Sequence, residues 1–231
     1  MNPTYTNPYV ASVMADSPLA YWRLDELSGS FVDSVSTYTA AITGTPSYRQ
    51  AGPFGNFGVN CLSTANYGLV PLFLVYPFSI ELWIKPLISS DARIAQWEDT
   101  AGYGHGIRAV WSSGSSGLAL VAFSSDVGGG VTGGSISAFV SMSEWSHVVG
   151  VWTSASDRVV YTDGIAAAVN TQTRSPTPTQ FKIGGGGNVT SEVAIYPHAL
   201  SAERIQLHYE LGLARLNGSP TIQKPQRCYV G

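Results

Sequence analysis

Aromatic and imidazole side chains cluster in one glycine-containing stretch of the sequence, at Trp97, Tyr103, His105 and Trp111. Proteins bind sugars by laying aromatic rings against the apolar C–H patches of the sugar, while nearby polar groups hydrogen-bond to its hydroxyls. If these residues line the same side of a sheet, they form a platform for a glycan. The sequence therefore predicts carbohydrate binding here, with packing of Trp97 in the core as the alternative.

The acidic residues Asp25, Glu26 and Glu81 lack the spacing that glycoside hydrolysis requires. That reaction uses two carboxylates, and alternate residues of a strand point to the same face. Asp25 and Glu26 are adjacent, so a strand would send them to opposite faces, and Glu81 stands alone between Ile80 and Leu82. We therefore predict that the protein is not an enzyme, and a glycoside hydrolase is kept only as an alternative.

The histidines and cysteines match no signature of a catalytic or metal site. No histidine lies in a nucleophile-elbow sequence, and Gly-Ser-Ser-Gly at 114–117 lacks the spacing of that motif. Cys61 and Cys228 are not grouped with histidines in a zinc-binding pattern. We assign no catalytic residue and expect both thiols to be reduced, with a disulfide between them as the alternative.

The composition disfavours nucleic acid and membranes as partners. Charged residues make up 12% of the chain, the net charge is −3, and no basic run occurs that could neutralise phosphates. No apolar run approaches the ~20 residues of a membrane span. Because Met1 to Ser12 lacks the pattern of a secretory signal, we expect synthesis in the cytoplasm without membrane insertion.

Alternation of apolar and polar residues predicts the strands. In segment 78–86, Phe78, Ile80, Leu82 and Ile84 share one face, which we expect to belong to a core. Further strands are predicted at 19–27, 145–153, 180–184 and 191–196, the last two as neighbours in one sheet. The twelve tyrosines, eight phenylalanines and six tryptophans also suit strands, because aromatic side chains pack well on a pleated surface.

A hairpin and a helix complete the predicted elements. Asp163-Gly164 tolerates the positive φ angles of a tight turn, so the flanking strands should pair antiparallel. A helix is predicted over 202–211, with Ser201 as its N-cap and Gly212 ending it at the C′ position. We expect this helix to cap a sheet edge.

Together these elements predict an all-β fold, a two-sheet antiparallel jelly-roll sandwich with one short C-terminal capping helix and an extended tail. The predicted division of the chain is an N-terminal arm over 1–15, the jelly-roll domain over 16–212 and the tail over 213–231.

Four ordered motifs carry a family resemblance. They are SPLAYWRLDE at 17–26, FSIELWI at 78–84, WSHVV at 145–149 with YTDG at 161–164, and EVAIYPHALS at 192–201. In this combination the chain resembles the laminin G-like jelly rolls of the concanavalin A-like lectin/glucanase superfamily. The resemblance implies two antiparallel sheets, one convex and one concave, in agreement with the predicted strands.

The resemblance also implies a cofactor. Laminin G-like relatives often hold calcium near the sheet rim with carboxylate and carbonyl oxygens. Asp33, with Glu192 as its partner, is the candidate pair for such a site. The alternative is a solvated Asp33 in a turn and a Glu192 at a strand edge.

Within that superfamily, the Gly/Ser-rich style, the missing export signal and the short tail are similar to jelly-roll accessory proteins of tailed bacteriophage virions. This similarity implies a non-enzymatic protein of the tail or capsid surface of a virion. Its partners would be other virion proteins or copies of itself, and it would bind glycans of the host surface. The alternative is a free, lectin-like carbohydrate-binding module.

Overall fold

The computed structural model describes residues 7–111, 117–126 and 134–218. In chain order its elements are α1 (Pro8–Ala15), β1 (Ala20–Trp22), β2 (Ala41–Thr43), β3 (Ser47–Ala51), β4 (Phe57–Asn60), β5 (Tyr67–Pro71), β6 (Phe78–Lys85), β7 (Ala92–Glu98), β8 (Gly104–Trp111), β9 (Gly117–Ser124), β10 (Gly134–Ser141), β11 (Ser146–Ser154), β12 (Asp157–Thr162), β13 (Ile165–Ala166), β14 (Gln180–Ile183), β15 (Val189–Tyr196) and α2 (Ala202–Leu216). Cys228 and the tail beyond Gly218 lie outside the described residues.

The strands form two antiparallel sheets. The back sheet has eight strands in the order β13-β12-β11-β6-β15-β4-β3, with β1 also paired to β15. The front sheet has seven strands in the order β10-β9-β8-β7-β14-β5-β2. The predicted all-β, two-sheet antiparallel sandwich is confirmed.

The main core lies between the two sheets. Phe78, Ile80, Leu82 and Ile84 of β6 are fully buried in it, as their alternation predicts. From the front sheet, inward side chains such as Ile107 of β8 meet them. Burying apolar area on this scale is the dominant favourable term in folding.

The hairpin at Asp163-Gly164 is confirmed. Both residues have positive φ, +51° and +80°, and Thr162 of β12 pairs with Ile165 of β13. This is the geometry of a tight two-residue turn, whose backbone twist matches that of the paired strands.

The prediction that segments 180–184 and 191–196 are neighbours in one sheet is wrong. Strand β14 pairs with β5 and β7 in the front sheet, whereas β15 pairs with β6 in the back sheet. The glycines at 184–187 all have positive φ, between +75° and +118°, and carry the chain across from one sheet to the other. Glycine adopts such angles without a steric penalty, so this run forms a crossover and not a hairpin turn.

Helix α2 differs from the prediction at its end and in its position. Gly212 lies inside the helix, which continues to Leu216. A Cβ atom at Gly212 would lie 2.2 Å from Cζ2 of Trp83, so the glycine permits close packing. The left-handed glycine after the helix is Gly218, with φ +67°. Residues 213–216, expected in the extended tail, are therefore helical.

A second helix occupies the predicted N-terminal arm. Asn7 caps α1, because its side chain accepts a hydrogen bond from the Tyr9 amide, and Pro8 stands at the start of the helix. No helix was predicted here, although both signals are local in the sequence.

Both helices cover the outer face of the back sheet and not an edge. Their buried residues form a second core layer with this sheet, which contains Tyr9, Val13, Tyr21, Phe54, Trp83, Val149, Val151, Ala194, Tyr196, Leu200 and Ile205. The front sheet has no helix on its outer face in the described part of the chain. Neither described helix has the length and hydrophobicity needed to cross a membrane.

Candidate functional site

The outer face of the front sheet presents polar side chains at its centre. In β7, Trp97 points into the core, so its neighbours Gln96 and Glu98 point outward. In β14, Phe181 likewise points inward and Lys182 outward.

The strand register brings these outward residues together. Gln96 pairs with Gly106 of β8 on one side and Lys182 of β14 on the other. The next pairs along β7 and β8 are Arg93 with Arg108 and Glu98 with Gly104. We call Arg93, Gln96, Glu98, Arg108 and Lys182 the front-face cluster.

A turn of the chain fixes part of this cluster. The carbonyl oxygen of Gly102 accepts hydrogen bonds from Arg93 Nη1 at 2.7 Å and from Gln96 Nε2 at 2.9 Å. The Arg93 guanidinium also lies 5.7 Å from the ring centroid of Phe123 on β9. Because Gly106 has no side chain, Arg93 can reach across β8 to that ring.

The cluster has one carboxylate among three cations. Glu98 Oε2 lies 3.9 Å from Arg93 Nη1, and burial raises the pKa of Glu98 although the nearby charges of Lys182 and Arg93 oppose the shift. Lys182 Nζ stands 3.9 Å above the ring of Tyr67, which is a cation–π contact. Glu98 is the only acidic residue within the seven strands of the front sheet.

Two atoms of the cluster are buried without a hydrogen-bond partner. They are Oε1 of Gln96, a residue that is only 1% exposed, and Nε of Arg108. Burial also lowers the pKa of Arg108, although the charge of Asp91 opposes the shift. Both atoms lie beneath the surface, but the Arg108 side chain is partly exposed and has no hydrogen bond in the described part of the chain.

The predicted aromatic platform is not assembled as one surface. Trp97 and His105 pair across β7 and β8 with ring centroids 5.6 Å apart, but both rings face the core and are 6% and 1% exposed. Trp97 Nε1 donates to the Leu72 carbonyl at 3.0 Å. His105 contacts the Tyr76 hydroxyl, and burial lowers the pKa of His105 to about 3.

Tyr103 and Trp111 lie at the two ends of β8. Tyr103 precedes the strand, and its amide donates to Asp99 at 2.9 Å. Trp111 ends the strand, packs against the core and donates its amide to Asp91 at 2.9 Å. The structure thus brings Trp97 and His105 together and keeps Trp111 apart from them.

A small cavity adjoins the inward-facing pair at one end of the sandwich. This rim pocket has a volume of about 380 Å³ and is lined by Trp97, His105, Phe73, Val75 and Tyr76, with the loop 176–179. Phe73 is 75% exposed, so the pocket opens to solvent beside an apolar surface. Glycan binding by Trp97 and His105 stays a prediction, and this pocket is the place where it would occur.

A second cavity of about 400 Å³ lies between the free edges of the two sheets. This edge pocket is lined by Trp145, Glu144, Asp163, Phe139 and Ile165, among other residues of β10 to β13. It combines aromatic rings with carboxylates and is therefore a second surface on which a sugar could be tested.

Asp33 does not have the environment of a metal ligand. Its carboxylate accepts the amide protons of Tyr21, Val35 and Ser36 at 2.9 to 3.0 Å, and the Ser36 hydroxyl at 2.6 Å. Burial opposes ionisation, but these donors outweigh it and lower the pKa of Asp33. The lone pairs that calcium would use are already engaged, so Asp33 stabilises a turn.

Glu192 is buried and paired in the same manner. It accepts from the Tyr21 hydroxyl and from Asn56 Nδ2, and Arg23 Nη2 lies 3.6 Å from its Oε1. Burial raises the pKa of Glu192 to about 7. Within the described ranges no group of three or more His, Cys, Asp or Glu residues could hold a metal ion. These residues therefore do not fit the calcium site that the resemblance implies.

A polar cluster with potential chemistry is sealed beneath the helices. The Glu81 carboxylate accepts from Tyr9 Oη at 2.8 Å and Tyr196 Oη at 2.6 Å, and contacts His147 Nε2 at 2.8 Å and His208 Nδ1 at 3.0 Å. Glu81 and His208 are fully buried and His147 nearly so, so no substrate reaches this cluster. Its role is to join the helices to the back sheet.

The sequence matches a known family model over residues 62–206, which is more than half of the chain, and the family is described as the Concanavalin A-like lectin/glucanases superfamily. The chain belongs to this superfamily. The family resemblance predicted from the four motifs is thereby confirmed. No protein with curated function shows significant sequence similarity to the chain.

Solved structures share the superfamily fold. Domain 4 of an extracellular arabinanase from Geobacillus stearothermophilus, in complex with arabinotriose, is 18% identical with a TM-score of 0.61, and the match covers 83% of this chain and 98% of that one. The ligand-binding domain of botulinum neurotoxin serotype D, in complex with N-acetylneuraminic acid, is 14% identical with a TM-score of 0.63, over 86% and 52% of the two chains.

A third similar structure belongs to an enzyme. Trypanosoma rangeli sialidase, in complex with the inhibitor DANA, is 13% identical with a TM-score of 0.61, over 83% of this chain and 32% of the sialidase. This chain therefore spans about half of the toxin domain and about a third of the sialidase. At such identities the likeness establishes the fold and not the ligand or the activity.

Proposed function

We propose that this protein is a non-enzymatic, glycan-binding module and that its front-face cluster is the binding surface. The observation that carries the proposal is the partly exposed Arg108 side chain, which has no hydrogen bond within the described residues, on a sheet face that no described helix covers. The oxygen atoms of a sugar would accept hydrogen bonds from the Arg108 guanidinium.

The chemistry of the surrounding side chains supports a sugar. Amide, carboxylate and cationic side chains lie close together on the adjacent strands β14, β7 and β8. This arrangement suits a ligand that has hydroxyls in several directions. Two solved relatives were crystallised with saccharides, arabinotriose and N-acetylneuraminic acid. Those ligands support a saccharide as the class to test.

The absence of catalysis is part of the proposal. Gln96 and Glu98 occupy alternate positions of β7, the arrangement in which glucan-cleaving relatives of the resembled family carry two carboxylates. Here an amide takes one of the two positions, so an acid and a base are not paired. We expect no release of reducing ends from any polysaccharide that the protein binds.

A glycan array with the whole chain, followed by calorimetric titration of the best oligosaccharide, tests the proposal. Gln96→Ala should weaken binding by about fivefold or more, since it removes the hydrogen bond to Gly102 that orders the cluster. Gln172→Ala, a matched change at an exposed glutamine outside the front sheet, should not.

Two further variants separate this surface from the cavities. Phe73→Ala alters the rim pocket and Trp145→Ala alters the edge pocket. Both should bind the oligosaccharide like the unaltered protein. Loss of binding in either, with Gln96→Ala unaffected, would move the site to that pocket.

We further propose, from the sequence resemblance alone, that the module is displayed on a bacteriophage tail or capsid, where it packs against virion proteins or its own copies. Immunogold labelling of purified particles tests this placement. Unlabelled particles from a lysate that contains the protein would leave the free lectin-like module as the better description.

A further inference from the structure

This inference rests on the proposed function. The charge of the front-face cluster indicates which class of saccharide it binds. The strands of the front sheet contribute three cations to the cluster, Arg93, Arg108 and Lys182, and one carboxylate, Glu98. The whole chain, by contrast, has only 12 Lys and Arg residues and a net charge of −3. This face is therefore more positive than the rest of the protein.

The three cations differ in how well they are paired. Arg93 binds the Gly102 carbonyl and lies 3.9 Å from Glu98, and Lys182 rests on the Tyr67 ring. Arg108 has neither a hydrogen bond nor an ion pair within the described residues. Its nearest acid, Asp91, accepts the Trp111 amide at 2.9 Å.

We infer that the front-face cluster binds an acidic saccharide and that Arg108 receives the carboxylate of its sugar ring. A guanidinium presents a fork of donors that matches a carboxylate, which gives charge-assisted and often bidentate hydrogen bonds. A half-buried guanidinium without a partner gains more from such a ligand than from a neutral hydroxyl.

A second cation lies beside Arg108. Gly106 lies opposite Gln96 and two residues before Arg108 on the same face of β8, and the Arg93 side chain reaches across this glycine toward Phe123. A Cβ atom at Gly106 would lie 2.5 Å from the Ala95 carbonyl oxygen, which excludes a larger residue there. Arg93 pairs with Arg108 across the two strands, so a sugar carboxylate on Arg108 lies close to this second cation.

Calorimetric titration with tetragalacturonate and with its fully methyl-esterified form tests the inference. The two probes share the sugar rings and differ in charge. We expect the acid to bind at least about tenfold more tightly than the ester, and this difference to shrink in 0.5 M salt because the charges are partly screened.

Variants of the whole chain test whether Arg108 binds the carboxylate of the sugar. Arg108→Gln should weaken the acid about tenfold or more and leave the ester nearly unchanged. Arg215→Gln, the same change on the exposed end of α2, is the matched control and should alter neither titration. Circular dichroism checks that each variant folds.

The outcomes distinguish the inference from the proposed function. Equal binding of acid and ester would overturn the acidic class and leave glycan binding intact. Unchanged acid binding by Arg108→Gln would overturn the site assignment. If a sulfated oligosaccharide of the same length binds more tightly than the acid, the group that Arg108 binds is a sulfate and not a carboxylate. Failure of every charged and neutral oligosaccharide would refute both this inference and the proposed function.

Discussion

His208 Nδ1 of α2 lies 3.0 Å from Oε2 of Glu81 at the centre of the back sheet, and both side chains are fully buried. The same carboxylate accepts the Tyr9 hydroxyl of α1 at 2.8 Å. One acidic group therefore holds both helices to the sheet, and breaking its contacts leaves buried partners uncompensated.

We expect Glu81→Gln to lower the free energy of unfolding by about 3–5 kcal/mol, the cost typical of removing one partner from a buried ion pair. Urea denaturation measures the difference. Glu210→Gln, at an exposed carboxylate on α2, should change stability by less than about 0.5 kcal/mol. Equal stability of the two variants would show that the buried contacts are energetically neutral.

The same pair predicts how stability depends on pH. Burial opposes the charge of His208, but Glu81 outweighs it and raises the pKa of His208 above its ordinary 6.5. The stabilisation from His208 is thus complete below pH 6.5 and is lost as the pH rises through the raised pKa. The pKa of Glu81 is lowered well below 4.5 because its histidine contacts outweigh burial, so its contribution is complete above pH 4.5 and is lost on acidification.

Unfolding free energies measured from pH 3 to 9 check this dependence. His208→Gln should remove much of the decline on the alkaline side, whereas His198→Gln should keep it. A decline of the same size in both variants would mean that another group titrates.

Trp97→Ala should destabilise the fold by about 3–5 kcal/mol, because the ring is 6% exposed and its removal leaves a cavity between the sheets. Thermal unfolding measures the loss, and Trp97→Phe should recover part of it. A Trp97→Ala variant with unchanged stability but no glycan binding would instead support the platform predicted from sequence.

Gly212→Ala should cost about 1–3 kcal/mol, because the new methyl group overlaps the Trp83 ring within α2's packing surface. Alanine normally stabilises a helix relative to glycine by about 1 kcal/mol. A loss of stability would therefore show that the overlap with Trp83 outweighs helix propensity. In a Trp83→Phe background the penalty should shrink. A stabilising Gly212→Ala change would show that the helix shifts without cost.

The strands of this fold were predictable because their signal is local. Alternation in Phe78 to Ile84 and the Asp163-Gly164 turn both fix backbone geometry within a few residues. Burial of Glu81 was not predictable in this way, since the polar face of β6 is covered by helices that lie 72 and 127 residues away in sequence.

A local sequence pattern, not used in the prediction, marks part of the front-face cluster. Gln96-Trp97-Glu98 and Gln180-Phe181-Lys182 repeat the same polar–aromatic–polar alternation. This pattern places the aromatic ring inward and the polar groups outward. Their pairing across β7 and β14, however, joins residues over 80 positions apart and required the structure.

The two helices make the two sides of the sandwich different. Arg204 Nε of α2 lies 2.8 Å from Asp16 Oδ2 just after α1, so both ends of the described chain leave from the back-sheet side. A label attached at Asn7 or Gly218 would therefore stand behind the sandwich. Such a label would leave the front sheet free to meet a ligand.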